Sequence, residues 1–160
     1  MKKIQFVIDI ESYTNENELI SDDLKLINEA KKACDNAYAP YSNFKVGAAV
    51  LLEDGTVVTG TNQENAAYPS GLCAERTALF YANSKYPDKA VKGIAIVAKS
   101  NGEYTNTPVG PCGACRQVIL ETENRYKTDI KIIMSGKSET QIVKSAKSLL
   151  PVSFSDKDLD

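Results

Sequence analysis

The sequence predicts an α/β fold with three α/β/α layers around a mixed sheet of about five strands, plus an extra N-terminal strand. Three patterns lead to this prediction: an early amphipathic helix, a β-hairpin after it, and then helices that alternate with strands. A hairpin pairs antiparallel strands, whereas a helical connection allows parallel ones, so strand directions should be mixed. A length of 160 residues suits one domain. We therefore predict a single domain over residues 21–160, preceded by an N-terminal extension over residues 1–20.

The predicted elements begin with an alternating segment at the N-terminus. Residues 2–11 alternate as a strand does, and one side of this strand would carry Ile4, Phe6, Ile8 and Ile10. Residues 12–18 are polar and predict a linker. Ser21 is the predicted N-cap of an amphipathic helix that extends to about Tyr38, shortly before Pro40 breaks it.

Turn residues and apolar runs predict the remaining elements. Asp54-Gly55 is a strong turn signal, and it predicts a hairpin of strands over residues 45–52 and 56–61. A polar and aromatic loop then leads to a helix from Cys73 to about Ser84. The later elements are a strand over 91–99, a loop over 101–111, a helix from Cys112 to about Asn124, and strands over 129–134 and 141–146.

Charge and composition narrow the possible functions. The net charge is −2 and no block of Lys or Arg is present, whereas nucleic-acid binders usually carry a basic stripe. No apolar run approaches the roughly 20 residues of a membrane span, and the N-terminus lacks the apolar core of a signal peptide. We therefore expect a cytoplasmic protein with a small-molecule substrate and with neither nucleic-acid nor membrane partners. Because the chain contains 0 histidines, a metal site has to use cysteine or carboxylate ligands.

Two separated cysteine motifs predict a catalytic zinc site. They are Cys73-Ala74-Glu75 and Pro111-Cys112-Gly113-Ala114-Cys115, and the cysteines fall at the starts of two predicted helices. Helix N-termini favour thiolates, and tetrahedral thiolate ligation suits zinc. Three protein ligands leave the fourth position for water, as in catalytic rather than structural sites. The zinc deaminases share this pattern, with the Glu as general acid and base. We predict Zn²⁺ as the cofactor, with metal ligands Cys73, Cys112 and Cys115 and Glu75 as the catalytic residue.

Several of these residues have a simpler interpretation when taken alone. An isolated Cys-x-x-Cys often marks a structural zinc knuckle or a redox pair, and Glu75 alone would be a solvated carboxylate in a first helical turn. Arg76 is predicted to hydrogen-bond the ligand sulfurs and to offset the negative charge that three thiolates leave on Zn²⁺. Cys34 lies on the apolar face of the first predicted helix, so we interpret it as a buried thiol rather than a further ligand.

Further motifs accompany the cysteines along nearly the whole chain. They are Ala39-Pro40-Tyr41-Ser42-Asn43-Phe44, Val46-Gly47-Ala48-Ala49, Asn62-Gln63-Glu64-Asn65-Ala66, Tyr68-Pro69 and Leu149-Leu150-Pro151-Val152-Ser153-Phe154. Together with the cysteine motifs they resemble the cytidine deaminase family, in its small homotetrameric form with a three-cysteine zinc site. The resemblance extends from about Leu24 to Asp158, so the first 18 or so residues are additional. It implies a homotetramer with active sites shared between subunits.

The resemblance also implies roles for substrate-binding residues. Phe44 matches an aromatic residue that packs against the pyrimidine, and Ala74 matches a residue whose main chain contacts the base. Asn62 and Glu64 match the pair that hydrogen-bonds the ribose 3′-hydroxyl; without the motif, both would be ordinary solvated loop residues. Phe154 matches an aromatic residue that reaches the site of a neighbouring subunit, although alone it would be interpreted as an anchor for the tail.

The implied function is hydrolytic deamination of cytidine and 2′-deoxycytidine to the uridines with release of ammonia, in pyrimidine salvage. Zinc-activated water would attack the ring while Glu75 shuttles protons. One alternative keeps the chemistry but changes the substrate, as in a blasticidin-type aminonucleoside deaminase. A nucleic-acid deaminase is disfavoured by the charge. A non-catalytic zinc-stabilised binding module is disfavoured by Glu75, because a purely structural site needs no such base.

Overall fold

The computed structural model describes residues 1–159, which form one mixed β-sheet with helices on both faces. The strands are β1 Glu11–Tyr13, β2 Phe44–Leu52, β3 Val57–Thr61, β4 Val91–Ser100, β5 Glu103–Tyr104, β6 Lys131–Ser135 and β7 Thr140–Val143. The α-helices are α1 Ser21–Cys34, α2 Ala74–Lys85, α3 Gly113–Tyr126 and α4 Ala146–Leu149. None of the helices in this described part is both long and apolar enough to cross a membrane.

The sheet order is β1-β7-β6-β4-β2-β3, with β5 paired to β4 outside this path. The pair β4–β6 is parallel, because α3 connects these two strands, and the other pairs are antiparallel. The predicted mixed sheet is therefore confirmed. The two-residue strand β5 lies within the predicted loop 101–111 and was not expected, since so short a segment has no periodicity to detect.

Two apolar clusters cover the two faces of the sheet, which confirms the three-layer arrangement. On one face α1 packs Leu26 and Ile27 against Ala49 of β2. On the other face α2 and α3 pack against Ala48 and Val50 of the same strand. Successive residues of a strand point to opposite faces, so the apolar run of β2 is buried on both sides.

Two glycines let the helices lie directly on the strand backbones. A Cβ atom on Gly47 would stand 2.1 Å from the Ala30 carbonyl oxygen of α1, and one on Gly60 would stand 2.4 Å from the Ala78 nitrogen of α2. Both contacts are with backbone atoms, which cannot move aside as a flexible side chain can. The close approach of α2 to β3 fixes where the N-terminus of α2 lies, and that N-terminus carries Cys73.

The N-terminal strand is present in the sheet, but its predicted position was wrong. The expected strand covered residues 2–11, whereas β1 covers Glu11–Tyr13 and residues 1–10 are exposed and outside any regular element. The reason lies in the neighbouring strand. Glu11 is aligned with Ile142, and β7 ends one residue later at Val143, so in the described part of the chain no strand pairs with the residues before Glu11. The alternation of apolar and polar residues predicts a strand, but it does not show whether a neighbouring strand is there to pair with it.

Other boundaries also moved. The N-cap of α1 is Ile20, without a side-chain cap hydrogen bond, and Ser21 is already helical, so the Ser21 cap was wrong. The helix was predicted to extend to about Tyr38 but ends at Cys34. The Tyr38 backbone N–H donates to the Asn62 carbonyl at 3.1 Å and not to a carbonyl of the helix. The last predicted strand ends early because Ser145 caps α4, accepting from the Lys147 N–H at 3.2 Å.

A buried carboxylate that the sequence did not single out joins the end of α3 to the elements after it. Glu123 is 1 % exposed. It accepts hydrogen bonds from the Ile130 and Ala146 backbone N–H groups, both at 2.9 Å, and from the Ser145 hydroxyl at 3.0 Å. Burying a carboxylate is costly unless donors surround it, and these three donors satisfy it. Glu123 thereby stabilises the placement of α3, whose other end carries two cysteines of the candidate site.

Candidate active site

Three cysteine sulfurs meet where the N-termini of α2 and α3 come together. Cys73 is the N-cap of α2, Cys112 is the N-cap of α3, and Cys115 lies in the first turn of α3. The Sγ atoms of Cys73 and Cys112 are 3.8 Å apart and those of Cys112 and Cys115 are 3.5 Å apart. All three sulfurs lie within 4.8 Å of one another. Tetrahedral zinc–sulfur bonds of about 2.3 Å place two sulfurs about 3.8 Å apart, so this cluster fits zinc.

The protonation behaviour of the cluster also favours a cation. The neighbouring Cys115 thiol, followed by the Arg76 and Cys112 side chains, lowers the pKa of Cys73 to about 5. The pKa of Cys115 is raised instead, because it donates to Cys73 and because it is buried. Sulfurs this close cannot all be thiolates without a compensating positive charge. A zinc ion bound by the three thiolates supplies that charge.

Arg76 is the cationic side chain beside the cluster. Its Nη2 donates to the Cys73 sulfur at 3.5 Å, and this contact is the main cause of the raised Arg76 pKa. Its Nε is buried and has no hydrogen-bond partner among the described residues. A guanidinium held this way places fixed positive charge next to an anionic metal centre. The sequence-predicted contact of Arg76 with a cysteine sulfur is therefore present.

Glu75 lies beside the sulfurs at the start of α2 and is 5 % exposed. Burial raises the pKa of its carboxyl, and the charge of Cys73 adds to the rise, whereas hydrogen bonds from its own backbone N–H and from Cys115 lower it. The net direction is upward, so the carboxyl is easier to protonate than an exposed one. Such a group is better suited than an exposed carboxylate to accept a proton and pass it on. Ala74, before it, is fully buried.

A cleft of about 430 Å³ adjoins the cluster, and Cys73 forms part of its wall. Small-molecule sites commonly measure about 300–1,000 Å³. Asn62, Glu64, Tyr41 and Tyr68 line the rest of this cleft together with neighbouring loop residues. The structure thus brings Asn62 and Glu64 together with the cysteine cluster, although they come from the loop after β3.

Asn62 has a fixed orientation. The Val46 N–H donates to its Oδ1 at 2.7 Å, and its Nδ2 donates to the Phe44 carbonyl at 2.9 Å. These two partners determine which side of the amide is oxygen. An amide offers two N–H donors and two acceptor positions, so one of each remains after these bonds. The hydrogen bond from Asn62 Nδ2 connects Asn62 to Phe44, which is half-buried at the start of β2.

The Glu64 carboxylate is held by the turn before β2. It accepts from the Tyr41 N–H at 2.9 Å, from the Ser42 N–H at 3.3 Å and from the Ser42 hydroxyl. The Ser42 hydroxyl is the main reason why the pKa of Glu64 is lowered. Asn43 closes this turn with φ of 53°, a left-handed conformation that Asn tolerates well. Glu64 is therefore an oriented anion at the edge of the cleft.

The sequence did not predict that Ser42 and Tyr41 hold the Glu64 carboxylate in place. Both belong to a motif that the sequence analysis quoted, but the hydrogen bonds span 22 and 23 positions along the chain. No local pattern announces such a contact. The one local indication was Ser42 itself, which lies two residues before Phe44, the first residue of β2. Its hydroxyl accepts a hydrogen bond from the Phe44 N–H at 3.0 Å, as a serine in a turn often does.

Phe154 is separate from this cleft in its own chain. It does not belong to the cleft wall, and its side chain is 59 % exposed. The tail that carries it is nevertheless attached to α3. Gln117 Nε2 donates to the Phe154 carbonyl at 2.9 Å, and Arg116 donates to the Pro111 and Leu149 carbonyls at 2.9 and 3.1 Å. The backbone is thus held while the aromatic ring faces outward.

Cys34 lies away from the sulfur cluster. It is fully buried under β2, and its Sγ donates to the Lys45 carbonyl at 3.4 Å. Burial is the main cause of its raised pKa. It is a packed thiol, as its place on the apolar face of α1 suggested.

Comparison with known proteins agrees with this site. The model of the cytidine and deoxycytidylate deaminase zinc-binding region matches residues 20–128. A cytidine deaminase of Sporosarcina psychrophila is 49% identical over 84% of this chain and 93% of its own length. One of Halalkalibacterium halodurans is 44% identical over 84% of this chain and 96% of its own length.

A solved structure is similar throughout the domain. The crystal structure of cytidine deaminase from Burkholderia pseudomallei superposes with a TM-score of 0.72 at 42% identity, covering 82% of this chain and 98% of that chain. The family-model match includes all three cysteines, the carboxyl beside them and the polar loop of the cleft. This chain therefore belongs to the zinc-dependent cytidine and deoxycytidylate deaminase family.

Proposed function

We propose that the protein hydrolyses the exocyclic amino group of cytidine and 2′-deoxycytidine, giving uridine and 2′-deoxyuridine with release of ammonia. One observation carries the proposal: a buried carboxyl, Glu75, lies beside three zinc-compatible sulfurs, and one of these sulfurs, that of Cys73, belongs to the wall of a cleft large enough for a nucleoside. In this proposal Cys73, Cys112 and Cys115 hold the zinc. The names of the similar proteins support the choice of cytidine as substrate.

Zinc held by the three thiolates would supply an acidified water as the nucleophile. Glu75 accepts a proton from the attacking water at its carboxylate and delivers it to N3 of the pyrimidine. The same carboxylate then takes the proton of the hydroxyl added at C4 and passes it to the amino group, so that the C4 carbonyl forms as the C4–N bond breaks and ammonia leaves. Burial raises the pKa of Glu75, which makes this carboxyl a better proton acceptor than an exposed one. Arg76 offsets negative charge at the sulfurs through its bond to Cys73.

The other end of the cleft suits a sugar. Asn62 retains one N–H donor and one acceptor position, and Glu64 is an oriented acceptor, so the pair can bind a ribose 3′-hydroxyl as donor and acceptor. We assign Phe44 to packing against the pyrimidine and the Ala74 main chain to the polar edge of the base. Free cytosine has no ribose hydroxyl, so its binding would leave Asn62 and Glu64 without that hydrogen-bond partner. This loss provides discrimination against free cytosine.

The test is an absorbance assay of cytidine loss by the purified protein, run before and after dialysis against a zinc chelator. We expect turnover that the chelator abolishes and that added Zn²⁺ restores. Parallel assays with 2′-deoxycytidine, cytosine and blasticidin S define the substrate. No turnover of any nucleoside by the zinc-loaded protein would contradict the proposal, and turnover of blasticidin S alone would reassign the substrate.

We also infer a homotetramer in which subunits complete one another's sites. The inference rests on Phe154, an exposed aromatic ring whose backbone is fixed by Gln117 and which does not reach the cleft of its own chain. A neighbouring subunit's cleft could receive this ring against the flat face of the pyrimidine. The closed site would exclude water from the reacting groups.

Changing Phe154 to alanine should raise the KM for cytidine about 5- to 150-fold, since stacking of a base on an aromatic ring contributes roughly 1–3 kcal/mol. Zinc content should stay unchanged. Val152→Ala is the matched control, because Val152 is even more exposed and lies in the same tail. Steady-state kinetics and light scattering provide the measurements. An unaltered KM in Phe154→Ala, or a fully active monomer, would refute the shared site.

The domain division and the cellular context belong to the same proposal. Residues 21–160 form the deaminase domain and residues 1–20 an added extension, a division supported by the start of the family match at residue 20. We assign the protein to the cytoplasm and to pyrimidine salvage, because three thiolate ligands need a reducing compartment and free nucleosides are the substrates of salvage.

A further inference from the structure

The N-terminal extension exposes an unusual amount of apolar surface. Residues 1–10 form no regular element, yet Ile4 is 73% exposed and Phe6 is 57% exposed, and the other apolar side chains of the segment are Met1, Val7, Ile8 and Ile10. The match to the family model starts only at residue 20, so this segment is an addition to the deaminase domain. It enters the sheet directly through β1, at the edge of the strand order. It is therefore an exposed arm with a strand-like sequence pattern, and no strand within residues 1–159 pairs with it.

We propose that residues 2–10 pair antiparallel with the same residues of a second copy of this chain. A pair with its two-fold axis at Phe6 places residue i opposite residue 12 − i. Ile4 then lies opposite Ile8, and Phe6 lies opposite Phe6 of the second copy. On the other face of the ribbon, Lys3 lies opposite Asp9, so opposite charges meet twice in each pair. The remaining pairs are Lys2 with Ile10 at the ends and Gln5 with Val7, so the self-complementarity lies in the central apolar pairs and in the two Lys3–Asp9 pairs.

The neighbouring register fits less well. Shifting the two-fold axis to Val7 would place Lys3 opposite Glu11 and leave Asp9 opposite Gln5. The Glu11 carboxylate, however, already accepts from the Tyr13 hydroxyl at 3.0 Å and forms an ion pair with Lys144 at 3.3 Å. A register centred on Phe6 leaves Glu11 in these contacts and uses only residues that precede β1. A one-residue slip, with residue i opposite residue 13 − i, is a separate alternative; it would place Ile4 opposite Asp9 and so mix the apolar and polar faces, which disfavours it.

A second copy suits this arm better than the rest of its own chain. The end of β7 at Val143 leaves residues 1–10 without a paired strand among the described residues of one molecule. An exposed strand with unpaired N–H and C=O groups is a template for another chain, and an identical strand is always present at the same concentration. The pairing is independent of the deaminase activity and of the Phe154 contact, because neither involves residues 1–10.

Disulfide cross-linking tests the register directly. In Phe6→Cys the two engineered thiols lie opposite each other, and opposing Cα atoms in antiparallel strands are about 4.5–5.5 Å apart, within disulfide range. We expect mild oxidation of the zinc-loaded protein to give a covalent dimer on a non-reducing gel. In Ile10→Cys the two thiols are eight positions out of register, about 27 Å apart, and no dimer should form. The unmodified chain controls for its own cysteines.

Charge exchange gives a second, independent readout in the Phe6→Cys background. Lys3→Asp alone and Asp9→Lys alone should each lower the dimer yield severalfold, because like charges then oppose one another. The double variant should restore the yield, since it recreates two opposite-charge pairs. Unchanged thermal unfolding would show that the domain is intact in every variant.

Three outcomes overturn the proposal. Equal cross-linking of Phe6→Cys and Ile10→Cys would indicate random collision of mobile arms. A dimer from Val7→Cys but not from Phe6→Cys, with no rescue in the double charge variant, would show the shifted register. Absence of cross-linking at both Phe6 and Val7 over a wide range of protein concentration would show that the arms do not pair.

Discussion

Glu75→Gln is expected to lower kcat for cytidine by about 10²–10⁴-fold, the usual contribution of a general acid–base group. The amide matches the carboxyl in size, so the buried position beside the sulfurs should stay filled. It cannot accept a proton from the attacking water, however, and it cannot pass one to the pyrimidine. Zinc content and the unfolding temperature should therefore remain close to those of the parent protein. Steady-state kinetics, elemental analysis and calorimetry measure the three quantities.

The matched control for this change is Glu121→Gln, which removes an exposed carboxylate from α3. It should leave kcat unchanged. A Glu75→Gln protein with nearly parental kcat would make Glu75 a bystander and would remove the proton transfer from the proposed mechanism. A protein that also lost zinc would show instead that the carboxyl supports the metal site.

Cys112→Ala is expected to abolish stoichiometric zinc binding, and with it the deaminase activity. The parent should contain about one zinc per chain, because three sulfurs within 4.8 Å form one ligand set. Removing Cys112 leaves two sulfurs, and two thiolates bind zinc far more weakly than three. Without the metal, the attacking water loses most of its acidity, so the rate should fall by several orders of magnitude. Elemental analysis of the purified variant provides the measurement.

Cys34→Ala is the control, since it removes a cysteine by the same substitution outside the sulfur cluster. Cys34 is fully buried, so some loss of stability is expected from the cavity, but zinc content should stay at the parental value. A full complement of zinc in Cys112→Ala would contradict the assignment of Cys112 as a zinc ligand. Loss of zinc in both variants would point to global unfolding as the cause.

The sulfur cluster illustrates how the fold serves the chemistry. Its ligands come from the N-termini of two helices that pack on one face of the sheet, where partial positive charge favours thiolates. Gly60 allows α2 to lie close on β3, and Glu123 stabilises the far end of α3. Residues distant from the cleft therefore determine whether the three sulfurs come within reach of one ion.

The sequence alone determined those features that depend on neighbours in the chain. Cys112 and Cys115 occupy consecutive positions of one helical turn, and Glu75 follows Cys73 by two residues, so their chemistry could be predicted from spacing. The hairpin of β2 and β3 followed from Asp54-Gly55, because turn geometry is local. Zinc as the cofactor followed from the donor types, in a chain with 0 histidines.

Only the tertiary structure decided those features that need a partner far away in sequence. The alternation of residues 2–11 predicted a strand, but β7 ends at Val143, so only Glu11–Tyr13 found a neighbour. Glu64 became an oriented anion through backbone and hydroxyl donors more than twenty positions away, at Tyr41 and Ser42. A strand or a buried charge is stabilised by groups that folding brings to it. Periodicity can state what a segment requires, but only the packed chain determines whether the required partner is present.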